Sequence, residues 1–255
     1  MLLKEIIKKI NQLIPDNIAL KNDKVGYIGP NPENIRINKI NIVMDIFPNK
    51  EKKNKFKDNK TSISGKNINE KFDKTELTIC HHPPLFSPEN PTYVIHSNWD
   101  IIKGGANDAL AETLGISTLE IFDKSTGIGR IGSYSKTFID FKINLLKKLN
   151  LDSINIVNPL DDNEKLGKIA IVSGYGLSNS DYIKLAKKNK VDAFLSGDLT
   201  QKGAILAKNL NLCIIDINHH KSEIPGLIKL SELISTIGIS CSVDIQETPW
   251  ITYKI

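Results

Sequence analysis

The first apolar residues of the chain recur at the spacing of one helix face. Leu2, Leu3, Ile6, Ile7, Ile10 and Leu13 predict an amphipathic helix, which Pro15 ends. Short apolar runs then predict strands at residues 23–29, 40–46 and 76–80, and the last of these leads directly into His81.

Between the second and third of these strands the chain is polar, rich in lysine and poor in periodicity, from Asn49 to about Thr75. Segments of this length are often lids or mobile insertions. We expect a partly ordered surface segment here, with a short helix near residues 68–72.

In the middle of the chain, Asn107 or Asp108 is expected to cap a helix that carries Leu110 and Leu114 on one face and that Gly115 ends. Two further strands are predicted at residues 119–122 and 134–141, separated by a glycine-punctuated turn at 127–132.

The second half alternates strands and helices. Strands are predicted at 168–172, 193–196 and 212–216, and helices at 180–188, 200–209 and about 223–236, with Pro225 in the first turn of the last helix. This alternation is typical of an α/β fold with mixed, largely parallel sheets flanked by helices. We expect a first lobe over residues 1–125 and a second over 126–255, whose C-terminal segment is free to return to the first.

Composition narrows the class of protein. A hydrophobic content of 40% and a charged content of 25% are those of a soluble globular protein. Three well-separated cysteines in apolar runs indicate buried thiols of a reducing cytoplasm. Neither a signal peptide nor a membrane-spanning run is recognisable, so we expect a cytoplasmic protein without a membrane partner. The net charge of +5 comes largely from the lysines at 50–60, for which a solvated loop is the simplest interpretation.

The five histidines fall in two neighbourhoods, each with a carboxylate nearby. His81 and His82 are followed by His96 and Asp100, and His219 and His220 are followed by Glu223. Nitrogen and carboxylate donors from separate segments are what a divalent-metal site needs. Because adjacent side chains of an extended chain point to opposite sides, His81 and His82 are expected to serve two neighbouring ions.

The remaining two histidines are less clearly assigned. His96 could be a ligand or a residue that orients one, and a solvent-facing or substrate-facing role is favoured for His220.

Glycine turns raise the question of phosphate binding. Gly127-Ile-Gly-Arg130 could present N–H groups and a guanidinium to a phosphate, but it matches no established phosphate-binding motif, so a structural turn is the simpler interpretation. Ser173-Gly174 and Ser196-Gly-Asp198 are similarly ambiguous.

These residues form an ordered set that resembles the Nif-three-like family, catalogued as GTP cyclohydrolase I type 2. The resemblance spans nearly the whole chain, and it is carried by Asp23–Gly26, His81–Pro83, His96–Asp100, Lys103–Leu110, Gly127–Gly132, Ser196–Asp198 and His219–Glu223. Pro84 and His220 depart from the family pattern, and neither departure removes a ligand.

The resemblance implies two divalent ions per subunit (Zn, Fe, Mn or Mg) at a site between the lobes. It implies that the ligands are His81, His82, Asp100, His219 and Glu223, with His96 in a supporting role. It also implies a two-lobed α/β subunit and a ring-like homohexamer.

Two functions follow. The first is a metal-dependent hydrolase acting on a small phosphorylated or nucleotide substrate, with Arg130 or Lys103 neutralising phosphate and GTP ring opening as its most specific form. The alternative is a non-catalytic hexameric scaffold or regulator, binding nucleic acid through lysine-rich surfaces.

Overall fold

The computed structural model describes residues 1–47 and 76–250. Their contacts form two compact units. Unit 1 comprises the described residues of Met1–His96 together with Ser231–Glu247, and unit 2 comprises Ser97–Leu230 with the described residues from Thr248 on. The predicted surface segment at 49–75, with its short helix, lies outside the described residues.

The described residues form seven α-helices and eleven strands, numbered in chain order. The helices are α1 (Leu3–Leu13), α2 (Ser97–Ile101), α3 (Ala106–Leu114), α4 (Phe138–Lys148), α5 (Ser180–Lys188), α6 (Gln201–Asn209) and α7 (His219–Ser235). The strands are β1 (Gly26–Ile28), β2 (Lys39–Val43), β3 (Glu76–Cys80), β4 (Thr92–Val94), β5 (Ser117–Ile121), β6 (Arg130–Ser133), β7 (Asn155–Val157), β8 (Lys168–Ile171), β9 (Ala193–Ser196), β10 (Cys213–Asp216) and β11 (Ser240–Asp244). No helix among these is long and apolar enough to cross a membrane.

Unit 1 contains a five-stranded sheet in the order β1-β4-β3-β2-β11. All neighbours are parallel except β1 and β4. The apolar face of α1 is buried at Leu3, Ile6 and Ile10, as the helical spacing predicted. The register pairs Val43 with Cys80 and Cys80 with Val94, so β2, β3 and β4 end side by side at one edge.

Unit 2 contains a six-stranded sheet in the order β5-β6-β8-β9-β10-β7. Its three central strands, β8, β9 and β10, are parallel, as their alternation with helices predicted. The pairings on either side are antiparallel, so this sheet is mixed and not largely parallel. Together the two sheets and their helices make a mixed α/β fold.

The division into units differs from the predicted boundary at residue 125. β5 pairs with β6, and Leu110 and Leu114 of α3 belong to the same buried cluster as Phe138 and Phe141 of α4. Burial of such side chains contributes about 1.5–3 kcal/mol each, which ties α3 and β5 to unit 2.

Two element predictions in the middle of the chain were wrong. The second half of the predicted strand at 134–141 is instead the first turn of α4, because Thr137 accepts a hydrogen bond from the Asp140 N–H and Asp140 accepts one from the Thr137 N–H. Gly105, and neither Asn107 nor Asp108, precedes the first residue of α3.

The last helix begins one turn earlier than predicted. Asn218 adopts a positive φ of 68° and its side chain accepts from the Lys221 N–H, which starts α7 at His219. Pro225 therefore lies inside the helix, where its missing N–H removes one helical hydrogen bond.

Candidate metal centre

The ends of β3 and β4 position three imidazole rings in unit 1. His81 and His82 follow Cys80, and their N–H groups donate to the Val43 and Met44 carbonyls at the end of β2. His96 follows β4 by two residues. One ring nitrogen from each of these histidines lies within 4.8 Å of the other two, a spacing that could hold a metal ion.

The adjacent histidines do not point to opposite sides as predicted. The His81 and His82 ring centroids are 5.0 Å apart, because the chain leaves the extended conformation and bends at these residues. The His96 ring lies 5.2 Å from His81 and 5.8 Å from His82. His96 therefore lies beside the other two rings. This position is compatible with direct metal coordination as well as with a supporting role.

In each of these rings Nδ1 lies close to an oxygen. His81 Nδ1 contacts the Ile95 carbonyl at 2.9 Å, His82 Nδ1 the Asp45 carboxylate at 2.9 Å, and His96 Nδ1 the Asp23 carboxylate at 2.8 Å. Carbonyl and carboxylate oxygens accept hydrogen bonds, so Nδ1 is the nitrogen that carries the proton in the neutral ring. That tautomer presents the Nε2 lone pair, as metal-binding histidines do.

The electrostatics of His96 favour this neutral form. Burial lowers the pKa of His96 and the nearby His81 ring lowers it further, and the Asp23 carboxylate only partly opposes them. A neutral imidazole is the form that coordinates a metal.

Unit 2 carries a second group of donors on the first turn of α7. His219 Nδ1 lies 2.8 Å from the Asp198 carboxylate, so this ring repeats the arrangement of the other three. Its Nε2 lies 3.1 Å from Oε1 of Glu223, one turn further along the helix. Glu223 is 5% exposed.

The carboxylates beside His219 favour the protonated form of its ring. Burial lowers the pKa of His219, but the Glu223 and Asp198 carboxylates outweigh it and raise the value to about 9. Metal ligation requires the neutral ring, so a metal ion bound at His219 would displace this proton.

Two glycine turns bring the chain close to this group. Gly174 has a φ of +82°, and a Cβ there would lie 2.5 Å from Oε1 of Glu223. A Cβ on Gly197 would lie 2.4 Å from the backbone nitrogen of His219, and the next residue is Asp198. The turns Ser173-Gly174 and Ser196-Gly-Asp198 therefore pack against His219 and Glu223, which explains why glycine occupies them.

Two further residues of the histidine groups, Asp100 and His220, are both buried. Asp100 lies in α2 and is 7% exposed. His220 is also buried, at 8% exposure, so the expected solvent-facing position is wrong.

Arg130 has a structural role that argues against a phosphate contact. Arg130 is 4% exposed, and its guanidinium donates from Nε and Nη2 to the Asp108 carboxylate at 2.9 and 2.8 Å. It also donates to four backbone carbonyls, those of Gly127, Gly129, Ile101 and Ile102. These contacts occupy its N–H groups within the protein.

Lys103, by contrast, is exposed. It lines an open cavity of about 800 Å³ in unit 2, together with Arg130, Asp108, Glu112 and Glu120. Acidic side chains repel phosphate, so this cavity adds no support to the predicted contact.

The carboxylates that contact Nδ1 of three of the histidines were not identified from the sequence. Asp23, Asp45 and Asp198 stand 73, 37 and 21 positions from their histidines. Asp23 and Asp198 lie in two of the motifs that carry the resemblance and Asp45 lies near the end of a predicted strand, but nothing in the sequence pairs them with particular histidines.

Comparison with known proteins supports one family. A family model described as Duf34/NIF3 (NGG1p interacting factor 3) matches residues 89–249. The protein named GTP cyclohydrolase 1 type 2 homolog from Methanothermobacter thermautotrophicus is 33% identical over 249 residues, covering 98% of this chain and 95% of that protein. The protein of the same name from Methanocaldococcus jannaschii is 33% identical over 256 residues, covering 91% and 94%.

Solved structures agree with this assignment. Reduced HcgD from Methanocaldococcus jannaschii is 29% identical, with a TM-score of 0.75 over 95% of this chain and 97% of its own. A Bacillus cereus protein related to NIF3 has a TM-score of 0.78 over 99% of each chain, and at 17% identity it shows the shared fold alone. The family model spans more than half of the chain and the named relatives cover nearly all of it, so this chain belongs to the Duf34/NIF3 (NGG1p interacting factor 3) family.

Proposed function

We propose that this protein binds divalent metal ions through His81, His82, Asp100, His219 and Glu223. The observation that carries the proposal is the shared hydrogen bonding of the histidines. In His81, His82, His96 and His219, Nδ1 faces a carbonyl or carboxylate oxygen, which favours the tautomer that coordinates a metal through Nε2.

We further propose that His96 is a metal ligand and not only a supporting residue. Its ring has its own carboxylate partner, Asp23, and its nitrogen lies in one group with those of His81 and His82. With His96 the donors are four imidazoles and two carboxylates. That is more than one four-coordinate ion uses, which supports two ions, and the mixed donors suit Zn²⁺, Fe²⁺ or Mn²⁺ better than Mg²⁺.

The reaction that we propose is metal-dependent hydrolysis of a small phosphorylated or nucleotide substrate. Support comes from the family and from relatives named GTP cyclohydrolase 1 type 2 homologs, with GTP ring opening as the most specific form. Bound divalent ions would lower the pKa of water and polarise the bond to be cleaved. The chain's own carboxylates, Asp100 and Glu223, would hold the positive charge, and Lys103 is the remaining candidate for a phosphate contact.

Metal binding is tested on protein purified without chelator, by elemental analysis and by titration of the metal-free protein with Zn²⁺ and Mn²⁺. We expect about two ions per chain. His82→Ala should lose at least one ion, whereas His220→Asn, which changes a buried histidine outside the proposed ligand set, should keep both. Wild-type protein that binds neither ion would contradict the proposal.

The reaction is tested separately with metal-loaded protein on a panel of nucleotides and phosphoesters. Turnover that disappears in His82→Ala and persists in Asp162→Asn, which changes an exposed carboxylate paired with Lys142, would support hydrolysis. Inactivity across a broad panel by protein that does hold its metal would reject the hydrolase and favour the scaffold interpretation.

We also propose that the chain assembles as a homohexamer, on the family resemblance. Six chains of 28.4 kDa have a mass of about 170 kDa. Light scattering on eluted protein measures this directly, and a single species at the mass of one chain would reject the hexamer.

A further inference from the structure

Two segments of unit 2 that carry proposed ligands are hydrogen-bonded to the same short loop. This loop, Ser173-Gly174, follows β8 and is called here the β8 loop. One of the segments is α2, which carries Asp100, and the other is the first turn of α7, which carries His219 and Glu223. None of the residues that make these links belongs to the proposed ligand set.

Asn107 links α2 to the β8 loop. Its side chain is fully buried, and it donates from Nδ2 to the Asp100 carbonyl at 2.9 Å. Its Oδ1 accepts from the Ser173 N–H at 2.8 Å. One amide side chain, with its separate donor and acceptor atoms, therefore joins the backbone of a proposed ligand to the β8 loop.

Ser222 links α7 to the same loop. Its Oγ accepts from the Gly174 N–H at 2.7 Å and donates to the His219 carbonyl at 2.6 Å. Its carbonyl accepts from Ser173 Oγ at 3.1 Å. Ser222 is fully buried, so loss of Oγ would leave the Gly174 N–H without this partner away from water.

The β8 loop is also in direct contact with the ligands. A Cβ on Gly174 would lie 2.5 Å from Oε1 of Glu223, so a small displacement of the loop changes the space around that carboxylate. Metal sites need their ligands held to within about 0.5 Å of the working geometry.

We infer that Asn107 and Ser222 are positioning residues, which hold Asp100 and the His219–Glu223 pair against the β8 loop in the geometry that binds metal. The inference rests on the proposed metal site. It gives Asn107, in the sequence Gly-Gly-Ala-Asn-Asp, a function other than helix capping. It also predicts that metal affinity depends on side chains that do not contact the ion.

The test compares Asn107→Leu with Asn144→Leu. Leucine has the same number of side-chain heavy atoms as asparagine and the same branching at Cγ, but its side chain makes no hydrogen bond. Asn144 is the matched control, because it also donates to a backbone carbonyl in unit 2, that of Leu114, which is not a proposed ligand. Zn²⁺ and Mn²⁺ affinities are measured by competition with a chromophoric chelator, and thermal midpoints by circular dichroism.

We expect Asn107→Leu to weaken metal binding about tenfold or more, within the range found for residues that orient ligands. Asn144→Leu should lower the thermal midpoint and leave metal affinity unchanged. A purely structural role for Asn107 would lower only the midpoint, as the control does, and would overturn the inference.

Ser222→Ala provides a second measurement should Asn107→Leu fail to fold. We expect the same loss of affinity, because the α7 link is removed while Glu223 and His219 remain. Wild-type affinity in a folded Ser222→Ala variant would overturn the inference, as would unfolding of both variants in saturating metal. Absence of metal binding by the wild type is a different result, which rejects the proposed function itself.

Discussion

At the scale of single residues, the carboxylates that contact Nδ1 of the histidines determine which ring nitrogen can coordinate a metal. Asp45 contacts His82 Nδ1 at 2.9 Å and so presents Nε2 to a metal. We predict that Asp45→Asn weakens metal binding about 10- to 100-fold, because an amide neither keeps the charge nor fixes the tautomer. Chelator competition measures the change.

Asp162→Asn is the control for this substitution. Asp162 is an exposed carboxylate whose partner is Lys142, at 2.6 Å, and a surface ion pair contributes about 0–1 kcal/mol. Its loss should leave metal affinity unchanged. Equal affinities for wild type and Asp45→Asn would show that Asp45 does not orient His82.

Gly174 provides a second prediction at this scale. Gly174→Ala adds a methyl group 2.5 Å from Oε1 of Glu223 and should reduce both metal affinity and stability. Gly115→Ala is the matched control, since Gly115 has a φ of +71° and open space around the added Cβ. Both variants should lose about 1–2 kcal/mol to backbone strain, as measured by urea unfolding.

Only the Gly174 variant is expected to bind Zn²⁺ more weakly. If Gly174→Ala and Gly115→Ala bound Zn²⁺ equally well, Glu223 would have to tolerate the methyl group or lie outside the metal site.

At the scale of elements, the N-terminus of α4 shows how local capping overrides an apolar pattern. The run from Tyr134 to Phe141 has strand-like composition, yet Thr137 and Asp140 cap a helix within it. Thr137→Ala removes the cap and should lower the free energy of unfolding by about 1 kcal/mol, measured in urea.

Metal affinity of the Thr137 variant should stay at the wild-type value, because Thr137 has no contact with a proposed ligand. Thr113→Ala is the comparison: Thr113 donates to the Ala109 carbonyl within α3, a bond that adds little to a helix. A Thr137→Ala variant as stable as Thr113→Ala would contradict the capping role.

At the scale of the whole molecule, metal binding and folding are linked. Ions that bind only the folded chain stabilise it by about 2.7 kcal/mol when present at one hundred times their dissociation constant. We predict that Zn²⁺ or Mn²⁺ raises the thermal midpoint of the metal-free protein and that a chelator reverses the shift.

His82→Ala should show a smaller shift than His220→Asn, since only the first removes a proposed ligand. A midpoint independent of metal in the wild type would mean that the folded chain binds the ion no more tightly than the unfolded chain, which would contradict an assembled site.

Local pattern determined a substantial part of this molecule. The 3.6-residue spacing of Leu3, Ile6 and Ile10 predicted α1, and the alternation of the second half predicted β8, β9 and β10 with α5 and α6 between them. The two histidine groups, and the family to which the chain belongs, were also evident, because adjacent residues and ordered motifs are visible in one dimension.

Tertiary structure alone decided what those residues contact. Asp45 reaches His82 across 37 positions because β2 and β3 are parallel and end at the same edge, and no periodicity in the sequence encodes that register. Arg130, a phosphate candidate by type, is bonded to Asp108, and Asn107, a cap candidate by type, links Asp100 to Ser173. Residue type determines which hydrogen bonds a side chain can make, and only the folded chain determines which partners lie within reach.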